Sequence, residues 1–202
     1  MKPLAESKTR LSDHLSEKER AELSAAMLAS VLTALRDSNV CATIVVGGDE
    51  RVQSIASDRD AVWMPDRFND LNLAVDEAFR RVWDSCGIAA YLPGDLPHLT
   101  DSDVVSLMEV VSHTNGITIC PAHDGGTNAL VVPEDLGFAP RLGNESYKRH
   151  RELATELGIE IRELWTPGFE LDVDTIKDLR RCLYSLPLGI QNSLDTIGEA
   201  LK

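Results

Sequence analysis

Short apolar runs alternate with amphipathic helical segments along most of this chain, and that alternation leaves few folds open. Cys41 to Val46, Ala61 to Met64, Ile88 to Leu92, Gly116 to Cys120, Asn128 to Val132 and Ile159 to Leu164 read as short strands. Between them the spacing of apolar residues turns helical. Ser16-Glu17-Lys18-Glu19 forms a capping box ahead of Met27, Leu28, Val31, Leu32 and Leu35, which predicts a helix from about Glu17 to Arg36. Asp70 caps a second helix whose Leu71, Ala74, Val75, Ala78, Phe79 and Val82 share one face, and Thr100 with Asp103 opens a third. Further helices are predicted from about Ser146 to Leu157 and from Ile176 to Leu183. Such βαβ alternation builds an α/β domain with a mixed, mainly parallel sheet flanked by helices.

The chain of 202 residues, 43% of them hydrophobic, can bury one substantial core, so a single domain over 1–202 is expected. Residues 186–202 carry Pro187, Gly189 and then a weakly amphipathic run. They read as a C-terminal helical appendage packed on the body or on the partner subunit of a homodimer. The start of the chain is unusual. Doubly wound nucleotide-binding folds begin with a buried strand leading into a phosphate loop, whereas Met1-Lys2-Pro3-Leu4 runs straight into loop-like residues. A first strand of about five or six apolar residues is expected to be missing, with Lys8 and Arg10 left on a poorly anchored loop.

A net charge of −13 argues against a broad nucleic-acid or anionic-membrane surface, because binding such polymers requires many Lys and Arg residues against phosphate. Small anions remain open as substrates. No segment approaches the roughly 18 apolar residues of a membrane span, and the first residues are polar, unlike a signal peptide. Cys41, Cys86, Cys120 and Cys182 are scattered without a C-x-x-C pair, which fits reduced thiols in the cytoplasm.

Three distant segments then point to one phosphate-handling site: Pro93-Gly94-Asp95-Leu96-Pro97, Asp124-Gly125-Gly126-Thr127-Asn128 and Leu171-Asp172-Val173-Asp174-Thr175. Asp95 follows an apolar run and belongs at the carboxyl end of a strand, where open α/β sheets bind ligands. Asp172 and Asp174 point the same way in extended chain and could share a divalent metal with Asp95. Nucleotide plus magnesium (Mg2+) is the simplest reading. Taken alone, Asp174 could instead cap the following helix. The Gly125-Gly126 pair offers either a backbone nest for a phosphate or an ordinary turn. Lys2, Lys8 and Arg10 could neutralise a triphosphate or form a solvated tail. His98 and His123 flank these segments without a catalytic assignment, and His14, His113 and His150 read as surface or partly packed residues.

In this order, Lys2-Pro3-Leu4-Ala5-Glu6-Ser7-Lys8-Thr9-Arg10-Leu11, the Asp95 segment, Gly126-Thr127-Asn128-Ala129-Leu130 and the Asp172 segment resemble the guanylyltransferases of coenzyme F420 biosynthesis. These enzymes activate 2-phospho-L-lactate, phosphoenolpyruvate or 3-phosphoglycerate. The resemblance spans roughly residues 2 to 183 and implies a Rossmann-like nucleotidyltransferase fold. It also implies transfer of GMP from GTP to a phosphorylated three-carbon acid, with pyrophosphate released. It assigns the metal to Asp95, Asp172 and Asp174, and it gives Lys8 and Arg10 a catalytic role beside the phosphates. Thr127, Gly143 and Ser146 become acceptor ligands, with Lys2 and Asn72 close to the substrates. The glycine-rich opening of molybdenum-cofactor guanylyltransferases and of sugar cytidylyltransferases is absent. One departure stands out. The family usually has proline and glycine between that glycine and serine, whereas this chain has Asn144-Glu145, which puts a carboxylate beside the proposed acceptor. Two other readings use the same residues: a nucleotidyltransferase with another nucleotide and another small phosphate, and a catalytically inactive nucleotide-binding protein.

Overall fold

A computed structural model of the chain describes residues 1–183, 185–187 and 189–191. Two 3-10 turns, Leu4–Glu6 and Thr9–Leu11, lead into α1 (Glu17–Asp37), then β1 (Ile44–Val46), α2 (Glu50–Ser57), β2 (Val62–Met64), α3 (Leu71–Cys86), β3 (Ile88–Tyr91) and α4 (Asp101–Ser112). After these come β4 (Ile117–Pro121), β5 (Thr127–Pro133), a 3-10 turn Glu134–Leu136, α5 (Ser146–Leu157), β6 (Ile161–Glu163), α6 (Pro167–Glu170) and α7 (Ile176–Cys182). The helix starts follow local chemistry. Ser16 with Glu19 and Thr100 with Asp103 form reciprocal capping boxes, and the Asp70 side chain accepts from the N–H groups of Asn72 and Leu73.

The architecture is α/β with a mixed sheet, as the alternation predicts, and its pairings are specific. β1 and β2 form a parallel two-stranded sheet, and a four-stranded sheet runs in the order β3-β5-β4-β6. β5 is antiparallel to both β3 and β4, while β6 runs parallel to β4. The departure from simple βαβ lies at β4–β5, where no crossover helix intervenes. Ala122 N–H donates to the Gly126 carbonyl and Gly125 N–H to that of Ala122, closing a hairpin. Both central strands are buried on both faces, and their residues alternate between two cores. Ile117, Ile119, Leu130 and Val132 pack with Val75 and Phe79 of α3 and Leu153 and Ala154 of α5. Cys120, Ala129 and Val131 pack instead with Val31 of α1, Val104 and Leu107 of α4, and Phe169 of α6. Each such fully buried aliphatic or aromatic side chain contributes about 1.5 to 3 kcal/mol.

Among the described residues no strand joins the two sheets. Met1 lies between them: its amino group donates to the Val46 carbonyl at the end of β1, and its sulfur would be 3.1 Å from a Cβ placed on Gly94 after β3. A Cβ on Gly47, which also holds a positive φ, would meet the Met1 carbonyl oxygen at 2.5 Å, so the close passage of the first residue requires glycine there.

The opening loop is better held than its sequence suggests. Leu4, Leu11 and Leu15 are buried, Ser7 Oγ pairs with Ser24 Oγ at 2.7 Å, and Arg20 binds the carbonyls of Ser7 and Leu15. Leu186 and Ile190 are buried in the same cluster as Leu11 and Leu15. The remainder of the expected C-terminal appendage, 192–202, lies outside the described residues.

Candidate active site

The three carboxylates come from two loops that the backbone ties together. The first follows β3, where buried Leu96 and Leu99 anchor the chain on either side of the turn. The second lies between α6 and α7, and its Val173 N–H donates to the Asp95 carbonyl at 3.2 Å. Val173 and Leu171 point into the core, so Asp172 and Asp174 turn to the opposite side. One oxygen from each of Asp95, Asp172 and Asp174 falls within 4.8 Å of the others, close enough to ligate a single cation. Asn128 at the start of β5 fixes the middle member. Its amide donates to the Phe169 carbonyl at 3.0 Å and to Asp172 Oδ1 at 3.2 Å.

The ambiguity over Asp174 resolves here. The cap of α7 is Thr175, whose side chain accepts from Asp178 N–H in a capping box, which leaves both Asp174 oxygens to the site. Those oxygens bind Lys8 Nζ at 2.9 Å and Arg10 Nη1 at 3.3 Å, and Lys8 Nζ also binds Asp95. Lys8 is nearly buried and adopts a left-handed backbone with φ 50, a conformation that costs a non-glycine residue about 1 kcal/mol. Burial alone would lower the Lys8 pKa, but Asp95 and Asp174 outweigh it and raise it above the usual value. Arg10, by contrast, is largely exposed at the rim. Among the described residues, no cationic side chain pairs with Asp172. Burial first, and then the neighbouring Asp95, hold its carboxyl above the ordinary range. A divalent cation fits this set: three converging carboxylates, all oxygen donors, one of them charge-starved.

A cleft extends from the carboxylates toward Thr127, Gly143 and Ser146, with Tyr91 and Arg10 on its sides. Thr127 opens β5 next to the irregular register at Cys120/Pro121, and Ser146 opens α5. Ser146 Oγ donates to Thr127 Oγ1 at 2.9 Å. Gly143 holds φ 108, which side-chain-bearing residues rarely adopt, and lets the 139–145 loop pass over the pocket. Tyr91 was not foreseen as a cleft residue. Burial and then Asp95 push its phenol upward, so it stays a neutral donor.

Other expectations change. The Gly125-Gly126 nest is not open to a phosphate, since Gly125 N–H is used by Ala122 and Gly126 N–H by Asp124 Oδ1 at 2.8 Å. The turn reading holds there. Asn72 does not line the cleft: its Oδ1 accepts from Leu142 N–H at 2.6 Å and its Nδ2 donates to the Leu142 carbonyl at 3.4 Å, so it clamps the loop carrying Gly143. Lys2 is exposed and lies outside the cleft lining. His150 is fully buried rather than at the surface. Its signal in the sequence was the i, i+4 spacing from Ser146, which places both side chains on one face of α5.

Three carboxylates thus converge beside a cleft lined by the hydroxyl-bearing residues Thr127 and Ser146. A family profile described as "Guanylyl transferase CofC like" matches residues 1–185. The chain belongs to the CofC-like guanylyltransferase family. The phosphoenolpyruvate guanylyltransferase of Roseiflexus castenholzii is 37% identical over 179 residues, covering 89% of this chain and 83% of that protein. The 2-phospho-L-lactate guanylyltransferase of Methanothrix thermoacetophila is 31% identical, covering 85% and 76% respectively. Among solved structures, a nucleotidyl transferase from Methanothermobacter thermautotroptrophicus superposes with a TM-score of 0.59 at 19% identity over 85% of this chain and 81% of that one. That likeness shows the fold. The CofC-like chain is thus an enzyme of the nucleotidyltransferase class, and no helix among its described residues is long and apolar enough to cross a membrane.

Proposed function

We propose that the enzyme transfers GMP from GTP to a phosphorylated three-carbon acid, phosphoenolpyruvate before 2-phospho-L-lactate or 3-phosphoglycerate, as a cytoplasmic step in coenzyme F420 biosynthesis. The observation that carries this reading is the convergence of Asp95, Asp172 and Asp174 beside the Thr127–Ser146 pocket. The relative named for phosphoenolpyruvate, at 37% identity, supports the order of acceptors.

The reaction joins two anions. A phosphate oxygen of the acid bonds to the α-phosphorus of GTP, and the bond from that phosphorus to the bridging β-phosphate oxygen breaks, with pyrophosphate taking the electron pair. No proton need move, because the acceptor phosphate is already ionised, and no histidine is required as a base. Magnesium held by Asp95, Asp172 and Asp174 would supply charge neutralisation between the two anions and Lewis acidity at the α-phosphate. Lys8, kept charged by Asp95 and Asp174, contributes a fixed cation at the same place, and Arg10 stands at the rim where the leaving pyrophosphate departs. Thr127 and Ser146 hold the acceptor, aided by the positive N-terminus of α5. Glu145, which caps that helix in a left-handed conformation and lines the cleft, opposes it.

The test is pyrophosphate release with each of the four common nucleoside triphosphates against the three acids, with magnesium present. GTP with phosphoenolpyruvate should be fastest, and Asp95→Asn should lower kcat by about 10² to 10³-fold. Near-native turnover by Asp95→Asn would show that the chemistry lies elsewhere. Faster release with CTP would move the enzyme to another donor class.

A further inference from the structure

His150 sits one turn into α5, fully buried, with its ring 5.8 Å from that of Phe138, behind the residues that line the cleft. Its two nitrogens have different partners. Nε2 receives the backbone N–H of Arg141 at 2.9 Å, and Nδ1 lies 3.1 Å from Thr127 Oγ1. A backbone N–H can only donate, so Nε2 must offer its lone pair. Burial, and then the nearby Arg149 and Arg141, push the imidazole down to about 4, which keeps the ring neutral at pH 7. A neutral ring with an accepting Nε2 carries its proton on Nδ1 and donates it to Thr127.

Thr127 Oγ1 therefore receives two protons, from His150 Nδ1 and from Ser146 Oγ, the latter at 2.9 Å. A hydroxyl oxygen has two lone pairs and one proton. With both lone pairs occupied, the one polar function left to Thr127 is donation, and Thr127 lines the cleft. An undirected threonine hydroxyl can accept as readily as donate, but one held in this way accommodates an ionised oxygen and rejects a donor.

We propose that His150 is a positioning residue that locks Thr127 as an obligatory hydrogen-bond donor toward the anionic group of the acceptor. This deepens the guanylyltransferase reading and rests on it for the identity of the acceptor. The contact is a charge-assisted hydrogen bond, so misdirecting Thr127 should weaken acceptor binding about tenfold while leaving the GTP site untouched.

Two substitutions separate the halves of the ring. His150→Asn keeps an N–H near the place of Nδ1 and leaves the Arg141 N–H unpaired, whereas His150→Gln keeps an acceptor near the place of Nε2 and removes the donor to Thr127. Steady-state kinetics should show the phosphoenolpyruvate KM raised about tenfold in His150→Gln, with kcat and the GTP KM within about threefold of wild type. His150→Asn should recover most of that loss. In a Thr127→Val background, His150→Gln should add nothing. A merely structural role predicts the reverse order, with His150→Gln the better variant because it keeps the loop bond, and that order would overturn the proposal. ¹⁵N NMR of histidine-labelled wild-type enzyme at neutral pH tests the tautomer even if the variants fold poorly. A protonated Nδ1 with a bare Nε2 is expected, and a protonated Nε2 refutes it. If wild-type enzyme guanylylates none of the three acids, the functional reading falls, and the dissociation constant of inorganic phosphate in the same proteins replaces KM as the readout. Equal phosphate affinity in wild type and His150→Gln, or none in wild type, would then overturn the role of His150.

Discussion

Asp172 and Asp174 are two residues apart, yet their surroundings treat them oppositely, and stability should show it. Burial and then Asp95 hold Asp172 above the ordinary carboxylate range, so the folded protein binds its proton more tightly than the unfolded chain does. Its contribution to stability is present at low pH and is lost as pH rises through the raised value. For Asp174 burial also favours the neutral acid, but Lys8 outweighs it and holds the carboxyl below its usual value. That contribution is present above the unfolded pKa and is lost as pH falls through the folded one. In metal-free protein at pH 7, Asp172→Asn should therefore raise Tm and Asp174→Asn should lower it, although both should abolish turnover. Thermal melts in EDTA decide this, and shifts of the same sign would contradict it. At this scale the sequence was partly legible. The three carboxylates stood out in the sequence, but the cap of α7 did not, since Asp174 was the candidate there and Thr175 with Asp178 takes the place. The bonds of Asn72 and His150 were not legible either, because each pairs with a backbone group that no local pattern marks: Leu142, distant in the chain, for Asn72, and Arg141, in the loop before α5, for His150.

The decisive element is the start of α5. Glu145 occupies its N-cap at φ 51 without a side-chain cap bond, and the residue lines the cleft. The positive φ costs it about 1 kcal/mol relative to a residue without Cβ, which gives a physical reason why the resembling enzymes carry glycine there. Glu145→Gly should leave stability unchanged or raise it by up to about 1 kcal/mol, since the gain in native conformation is partly offset by chain entropy. It should also lower the phospho-acid KM severalfold by removing like-charge repulsion. Urea midpoints and KM values check the two halves separately. A rise in stability with an unchanged KM would mean that the carboxylate faces away from the acceptor. Helix starts at Ser16, Asp70 and Thr100 were legible because capping is a local exchange of hydrogen bonds. The β4–β5 hairpin was not, since its strands read as continuous apolar runs with no alternation to reveal direction.

Across the whole molecule, the site exists because long-range contacts bring residue 8 to residues 95 and 174. Buried Leu4 and Leu11 bracket Lys8 and let the opening turns lie against α1 and the α7 region. That packing explains why a loop predicted to be poorly anchored is ordered. The α/β class was legible from the alternation of runs, but the split into two sheets with Met1 between them depends on pairings no local pattern encodes. Replacing Leu11 by alanine should cost about 2 to 5 kcal/mol from the cavity left in the core. It should also reduce kcat by loosening Lys8, whereas Leu157→Ala, at an exposed position on α5, should change neither. Denaturant unfolding together with turnover measures both effects, and unaltered kcat in a folded Leu11→Ala protein would show that Lys8 is positioned independently of the turn.

Transfer of GMP by these carboxylates onto an acid bound at Thr127 can be followed by ³¹P NMR of the wild-type enzyme with GTP, magnesium and phosphoenolpyruvate. The γ-phosphate signal of GTP should disappear while two coupled diphosphate resonances of a guanylated ester grow in, one pyrophosphate appearing per ester formed. Release of pyrophosphate with free GMP and no ester, or an unchanged GTP spectrum with all three acids, would contradict it.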